Sequence, residues 1–225
     1  MELVPRNEVF TPYFHSQSGI HDVTDDFNWR PTRRQFDFLR SRGFRCDSCG
    51  LRTVPTHEVP SGYLELHPVG SAFAVLCVLC KQSQHVGRKV RDNSALDHGR
   101  IVYLPQLSQG QVSNIAQYLG VAEKQEHPAS PGLRAVVDAM AEEGARLAAR
   151  YLSLPEHQFP DPLSASLFVE MTDAMSPSLA TQQSRLFKDL RYLPLKDFGR
   201  QIRYWSQQSP DFSSLPSLDE ILGTI

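Results

Sequence analysis

Cysteine is scarce in this 225-residue chain, four in all, and the four fall in two Cys-x-x-Cys pairs. In a reducing compartment paired cysteines at that spacing point to metal before disulfide. An excess of either charge is lacking too: 23 Lys and Arg stand against 25 Asp and Glu, a formal net charge of −2. No global basic excess therefore advertises nucleic acid or an anionic membrane. Nor does any stretch approach the roughly 20 apolar residues that a membrane span needs. The first residues, Met1-Glu2-Leu3-Val4-Pro5-Arg6, have no basic n-region followed by an apolar h-region, so the expectation is a cytosolic protein without a signal peptide. Core material is plentiful. Hydrophobic residues make up 40% and charged residues 21%, which excludes a wholly disordered chain and suits one large domain or two small ones.

Residues 1–35 read as an extension. Phe10, Tyr13, Phe14, Phe27 and Trp29 are scattered among Pro, Ser, Asn and Asp with no helical or strand period. They are expected to staple a coil to the domain surface, with docking on a partner as the alternative. A short helix is expected over 32–42, ended by Gly43, and then a knuckle-like turn over 44–50. Strand-like pieces follow at Thr53-Val54, Tyr63-Leu64-Glu65-Leu66 and Phe73-Ala74-Val75-Leu76, broken by prolines and glycines. Residues 87–99 read as a polar loop and 101–105 as a short strand. Ser108 caps a helix stopped by Gly120. Ser130 as N-cap and Pro131 at the first helical position open the best helix, with Leu133, Val136, Val137, Met140, Leu147 and Tyr151 as its apolar face. Further helices are expected over 163–175, 182–190 and 195–205. From Ser206 on, Ser and Pro dominate, and only 218–222 has amphipathic character, so 206–225 reads as a flexible tail. The expectation is an α+β protein: a zinc-stabilised treble-clef module over 36–105, followed by a helical region over 106–205 packed on it.

The cysteines carry the chemistry. Cys46-x-x-Cys49 and Cys77-x-x-Cys80 are separated by 27 residues. Two residues between cysteines let a tight turn aim both sulfurs at one metal, and two such pairs complete the tetrahedral S4 site that structural Zn²⁺ prefers. Gly50 suits the left-handed turn of a knuckle. A second pair at the start of a helix lets amide N–H groups stabilise thiolates. A redox dithiol would go with one lone pair in a βαβ context, and neither condition holds. Four thiolates close the coordination sphere, so such a site nucleates folding rather than catalyses. His57, His67 and His85 lie near the knuckles in sequence. They read as loop or partly buried histidines, with a second, catalytic metal as the competing reading.

Arg42-Gly43-Phe44-Arg45-Cys46-Asp47-Ser48-Cys49-Gly50, with the second cysteine pair, resembles the zinc-stabilised HNH (ββα-metal) nucleases. An active member needs a His general base in an apolar strand, an Asn to orient it and ligands for a catalytic metal. Here Leu66-His67-Pro68 offers one His followed by proline, Ala72-Phe73-Ala74-Val75-Leu76 stands where an Asn is expected, and Lys81 follows the last cysteine. The resemblance implies a retained HNH-like scaffold with a degenerate site and no catalytic residues.

A closer resemblance is to the IcmJ/DotN family of type IVB secretion systems. Three segments carry it: the helix and knuckle over 36–50 with Cys77 and Cys80; Ile101-Val102-Tyr103-Leu104-Pro105-Gln106-Leu107-Ser108-Gln109; and Leu193-Pro194-Leu195-Lys196-Asp197-Phe198 through Gln201-Ile202-Arg203-Tyr204-Trp205. Together they bracket residues 36–205. The resemblance implies a bacterial, cytoplasmic adaptor without enzymatic activity, associated with the inner-membrane coupling complex. It would bind the C-terminal tail of a DotL-like coupling ATPase beside DotM-like and IcmS/IcmW-like subunits. The competing functions are an HNH-like nuclease built on His57 or His67 and a nucleic-acid-binding treble clef. The latter would use the six arginines that stand against one aspartate between residues 30 and 45. Residues 121–175, with nine acidic against four basic side chains, give the second half the opposite sign.

Overall fold

The computed structural model describes residues 2–3, 29–69, 71–84, 99–153, 185, 187–195, 198–213 and 215. His85, nearly all of the 87–99 loop, the expected helix over 163–175, residues 182–184 and 186 of that over 182–190, and 218–222 lie outside them. The architecture is α+β, with two small sheets and helices packed around a cysteine cluster.

Strand β1 (Glu2–Leu3) is followed by helix α1 (Arg33–Ser41). Thr32 caps α1 in a reciprocal capping box with Gln35. The helix ends in a Schellman turn, Phe44 N–H donating to Leu39 O at 3.0 Å and Gly43 N–H to Arg40 O at 2.9 Å. That reversal drives Phe44 into the core, edge-on to Phe36. Strands β2 (Leu64–Val69) and β3 (Ala72–Cys77) form an antiparallel hairpin in register from Leu64↔Cys77 to Val69↔Ala72. On the far edge of β3, β1 pairs in parallel with Ala72 and Phe73, so part of the expected extension is strand. The Thr53-Val54 piece is not one; an isolated bridge between Arg45 and Arg52 closes the knuckle instead.

Helix α2 (Val78–Ser83) leaves β3 directly. Strand β4 (Gly99–Tyr103) pairs antiparallel with β5 (Leu190–Pro194), joining positions some ninety residues apart. The expected helix over 182–190 thus gives way to strand at Leu190. Helix α3 (Gln109–Lys124) is capped by Ser108 in a second capping box, with Gln111. It runs past Gly120 because that glycine serves packing: a Cβ there would lie 2.9 Å from Ile202 Cδ1. Helix α4 (Ser130–Tyr151) starts one residue earlier than expected, since the turn that closes on His127 O already winds the chain at Ala129. Its packed face is also not the expected one. Leu133 and Val137 are buried, but Leu147 and Tyr151 are exposed, and the stripe continues through Ala141, Gly144, Ala145 and Ala148. Small residues let β4 approach until Val102 meets Gly144.

Helix α5 (Gly199–Gln208) and a 3₁₀ turn (Pro210–Phe212) complete the chain as described. The expectation of a free tail from Ser206 fails for its first residues. Phe212 is buried edge-on to Tyr118, Asp211 pairs with Arg52, and Gln125 donates to Phe212 O. The core reflects this closure. One buried cluster runs from Leu39, Leu64 and Leu76 around the cysteines to Val121, Phe198, Ile202, Trp205 and Phe212. A second joins α3, α4, β4 and β5 through Ile115, Leu119, Leu133, Val137, Val102 and Leu193. None of the described helices is long and apolar enough to cross a membrane.

Candidate metal centre

The two cysteine pairs meet. Cys46 and Cys49 sit on the knuckle, where Cys46 N–H donates to Leu51 O at 2.9 Å and Gly50 N–H to Cys46 O at 3.0 Å. Gly50 takes the left-handed conformation, φ +81°. Cys77 ends β3 and stands at the N-cap of α2, and Cys80 lies one turn on. All four sulfurs lie within 4.8 Å of one another, Cys49 and Cys77 at 3.7 Å. No disulfide joins them. For metal–sulfur bonds of about 2.3 Å, a tetrahedron has edges of about 3.8 Å, so the cluster fits one ion at its centre. Among the described residues this is the one group of three or more potential ligands at such distances.

Several elements hold the knuckle in place. Asp47 N–H donates to Val75 O at 2.7 Å and its carboxylate accepts from Val75 N–H at 2.8 Å, so the knuckle continues the edge of β3 where β1 stops. The same carboxylate pairs with Arg42, both side chains largely buried. Arg45 donates to Gly50 O at 3.1 Å. Two of the six arginines suspected of gripping phosphate are therefore engaged in shaping the knuckle, while Arg40 lies over the ring of Phe36.

Helix α3 covers the open side of the cluster. Asn114 Nδ2 donates to Cys49 O at 2.9 Å. Gln117 Nε2 lies 3.3 Å from Cys77 Sγ and 3.5 Å from Cys49 Sγ. Gly110 lets the backbones touch, since a Cβ there would stand 2.3 Å from Ser48 O. None of these three was picked out from the sequence. Their i, i+4, i+7 spacing marks one helix face, but nothing local says that the face meets a knuckle some sixty residues away.

Burial raises a thiol's pKa, because it penalises the thiolate. Against that, S–H donation from Cys49, Cys77 and Cys80 holds Cys46 well below the ordinary thiol value. Cys49 is pushed well above it chiefly by its contact with Cys46, and Cys77 chiefly by burial. Four sulfurs this close share negative charge poorly by themselves, which is the condition a bound cation relieves. Lys81, next after Cys80, pairs with Glu65 on β2.

The histidines do not build a second centre among the described residues. His57 is exposed in the loop before β2. His67 faces Ala74 in the hairpin register, and burial, then the charge of Lys81, lowers its pKa. Neither joins a cluster of three or more potential ligands.

Gly110→Ala tests the α3–knuckle contact. The new methyl would press on a backbone oxygen inside Cys-x-x-Cys. We expect a net loss of about 1–3 kcal/mol, despite the gain of up to about 1 kcal/mol in helix propensity. Metal transfer to a chelator, measured well below melting, should also be faster. Gly144→Ala, which presses on Val102 instead, should lose stability without faster transfer; equal rates in both variants would refute the contact's role. A scan of the chain against protein-family models finds no match, and neither does a search of curated proteins.

Proposed function

We propose that this protein is a non-enzymatic, zinc-stabilised adaptor of a type IVB secretion (Dot/Icm-like) coupling complex. In this reading Cys46, Cys49, Cys77 and Cys80 hold one structural Zn²⁺. The module so fixed binds the C-terminal tail of the coupling ATPase and helps build the platform that recruits substrates. The observation that carries the reading is the cluster of four free cysteine sulfurs within 4.8 Å of one another, Cys46, Cys77 and Cys80 buried and Cys49 half-buried. Thiolates in tetrahedral array select zinc, and a full coordination sphere leaves no position for water or substrate. The metal then supplies folding energy and rigidity.

The partner rests on the IcmJ/DotN resemblance, whose segments play connected parts in this fold. The second segment ends β4 and caps α3, and the third supplies the end of β5 and α5. Gln109, which ends the second, donates its buried amide to Tyr192 O at 2.8 Å and accepts from Tyr192 N–H at 2.9 Å, one residue before the third begins. Trp205, the last residue of the third segment, is buried against the loop that leads into β2.

Light scattering on a gel-filtration mixture of zinc-loaded protein with the C-terminal tail of a DotL-like ATPase tests the reading. A stable stoichiometric complex is expected, with one zinc per chain by elemental analysis. Folded, zinc-loaded protein that forms no complex would reduce the resemblance to shared fold.

A further inference from the structure

We infer that Gln117 is an outer-shell donor to the metal centre, its side-chain amide bonding two metal-bound thiolates and so making metal binding and the docking of α3 a single event. The inference rests on the reading of the cluster as a metal site. Gln117 is 1% exposed, and a buried amide is costly unless its N–H groups find acceptors. Among the described residues, the acceptors within reach of Nε2 are Cys77 Sγ at 3.3 Å and Cys49 Sγ at 3.5 Å. A neutral thiol sulfur is a weak acceptor. A metal-bound thiolate is a strong one, because the bond to it is charge-assisted.

The two sulfurs are also one from each pair. Gln117 therefore spans the 3.7 Å edge between knuckle and helix α2, fixing the junction that the chain itself leaves to 27 intervening residues. Without metal, Oε1 also lies within reach of a Cys49 S–H, at 4.0 Å; against metal-bound thiolates only the N–H sense is favourable, because a flipped amide would turn that oxygen toward two negative sulfurs. Drawing charge from Cys49 and Cys77 makes both thiolates poorer nucleophiles and the metal slower to leave, as outer-shell partners do at other metal sites. Because the donor comes from α3, which carries none of the sulfurs, the helix senses whether the ion is present.

The test uses the full chain loaded with Co²⁺, whose thiolate charge-transfer band reports the charge on sulfur. Gln117→Met keeps length and loses the donor; Gln117→Glu replaces the amide with a carboxyl group. Both are expected to shift the band to lower energy and to weaken Zn²⁺ binding by about 10–100-fold in competition with a chelator. Asn114→Ala, one turn away and bonded to Cys49 O rather than to sulfur, should leave the band where it is. Wild-type protein loaded with ¹¹³Cd²⁺ needs no variant: a Gln117 side-chain amide proton should show scalar coupling to the metal through the N–H···S bond. Failure of wild type to give a tetrahedral thiolate spectrum would sink the metal reading itself. A normal wild-type spectrum with no cadmium coupling, or with band and affinity unmoved in folded Gln117 variants, would overturn the role of Gln117 alone. An equal band shift in Asn114→Ala would overturn it too, by tracing the effect to packing.

Discussion

Serine at Cys46 or Cys80 is expected to unfold more than the segment that carries the cysteines. A structural zinc site contributes an apparent ~10–16 kcal/mol to folding, as much as the whole net stability of an ordinary domain, about 5–15 kcal/mol. In the proposed zinc-loaded state, an oxygen in place of one sulfur forfeits much of that and leaves three thiolates around a poorly held ion. The core fixes how far the damage spreads. Leu64, Leu76 and Leu79 beside the sulfurs belong to the same buried cluster as Phe198, Ile202, Trp205 and Phe212, so the hairpin cannot open while α5 stays docked. Hydrogen exchange should therefore show amides of β3, α2 and α5 losing protection together. Those of α4 and β4, packed around Leu133, Val137 and Val102, should lose it last. Chelator treatment of wild type should reproduce the pattern and added Zn²⁺ reverse it. Unchanged melting temperature and protection in either variant would show that the ion is dispensable to the fold.

What could be read from the chain without its structure was whatever depends on neighbours in sequence. Cys-x-x-Cys brings its own turn, Thr32 and Ser108 carry the partners of their capping boxes three residues on, and Gly43 stands where a left-handed residue must end α1. The failures all involve partners far away. The face of α4 was assigned to its large residues, but a strand from another part of the chain selected the Ala and Gly stripe, because close approach favours small side chains over bulky ones. Ser209-Pro210-Asp211 looks like the start of a tail until Arg52 and Tyr118 are seen to receive the residues around it. Gln117 carries no reading of its own, since nothing near it in sequence announces the sulfurs. The cluster itself was therefore legible, whereas the groups that brace it were not.

The same division between local and distant contacts sets the effect of Trp205→Ala. The indole is fully buried, its Nε1–H donates to Gly62 O at 3.2 Å, and its ring meets Tyr63 edge-on at 6.5 Å. Tyr63 holds φ +62°, a left-handed conformation costly for a side-chain-bearing residue, and α5 is what keeps it there through Tyr204 and Trp205. Truncating a buried tryptophan costs about 3–5 kcal/mol in cavity and lost contact. Leaving the Gly62 carbonyl without its donor adds to that. Trp205→Phe retains most of the ring packing and loses the donor, so it should cost about 1–3 kcal/mol. Denaturant unfolding of the two variants separates the terms. Co²⁺ spectra of the folded variants separate α5 from α3: the indole hydrogen bond of Trp205 goes to Gly62 and its ring contact to Tyr63, not to a sulfur, so the charge-transfer band should stay at its wild-type energy while stability falls. A band that moves with stability would mean that α5 also orients the sulfurs. The fold would then have no single helix assigned to the metal, and the cluster would depend on the whole C-terminal closure.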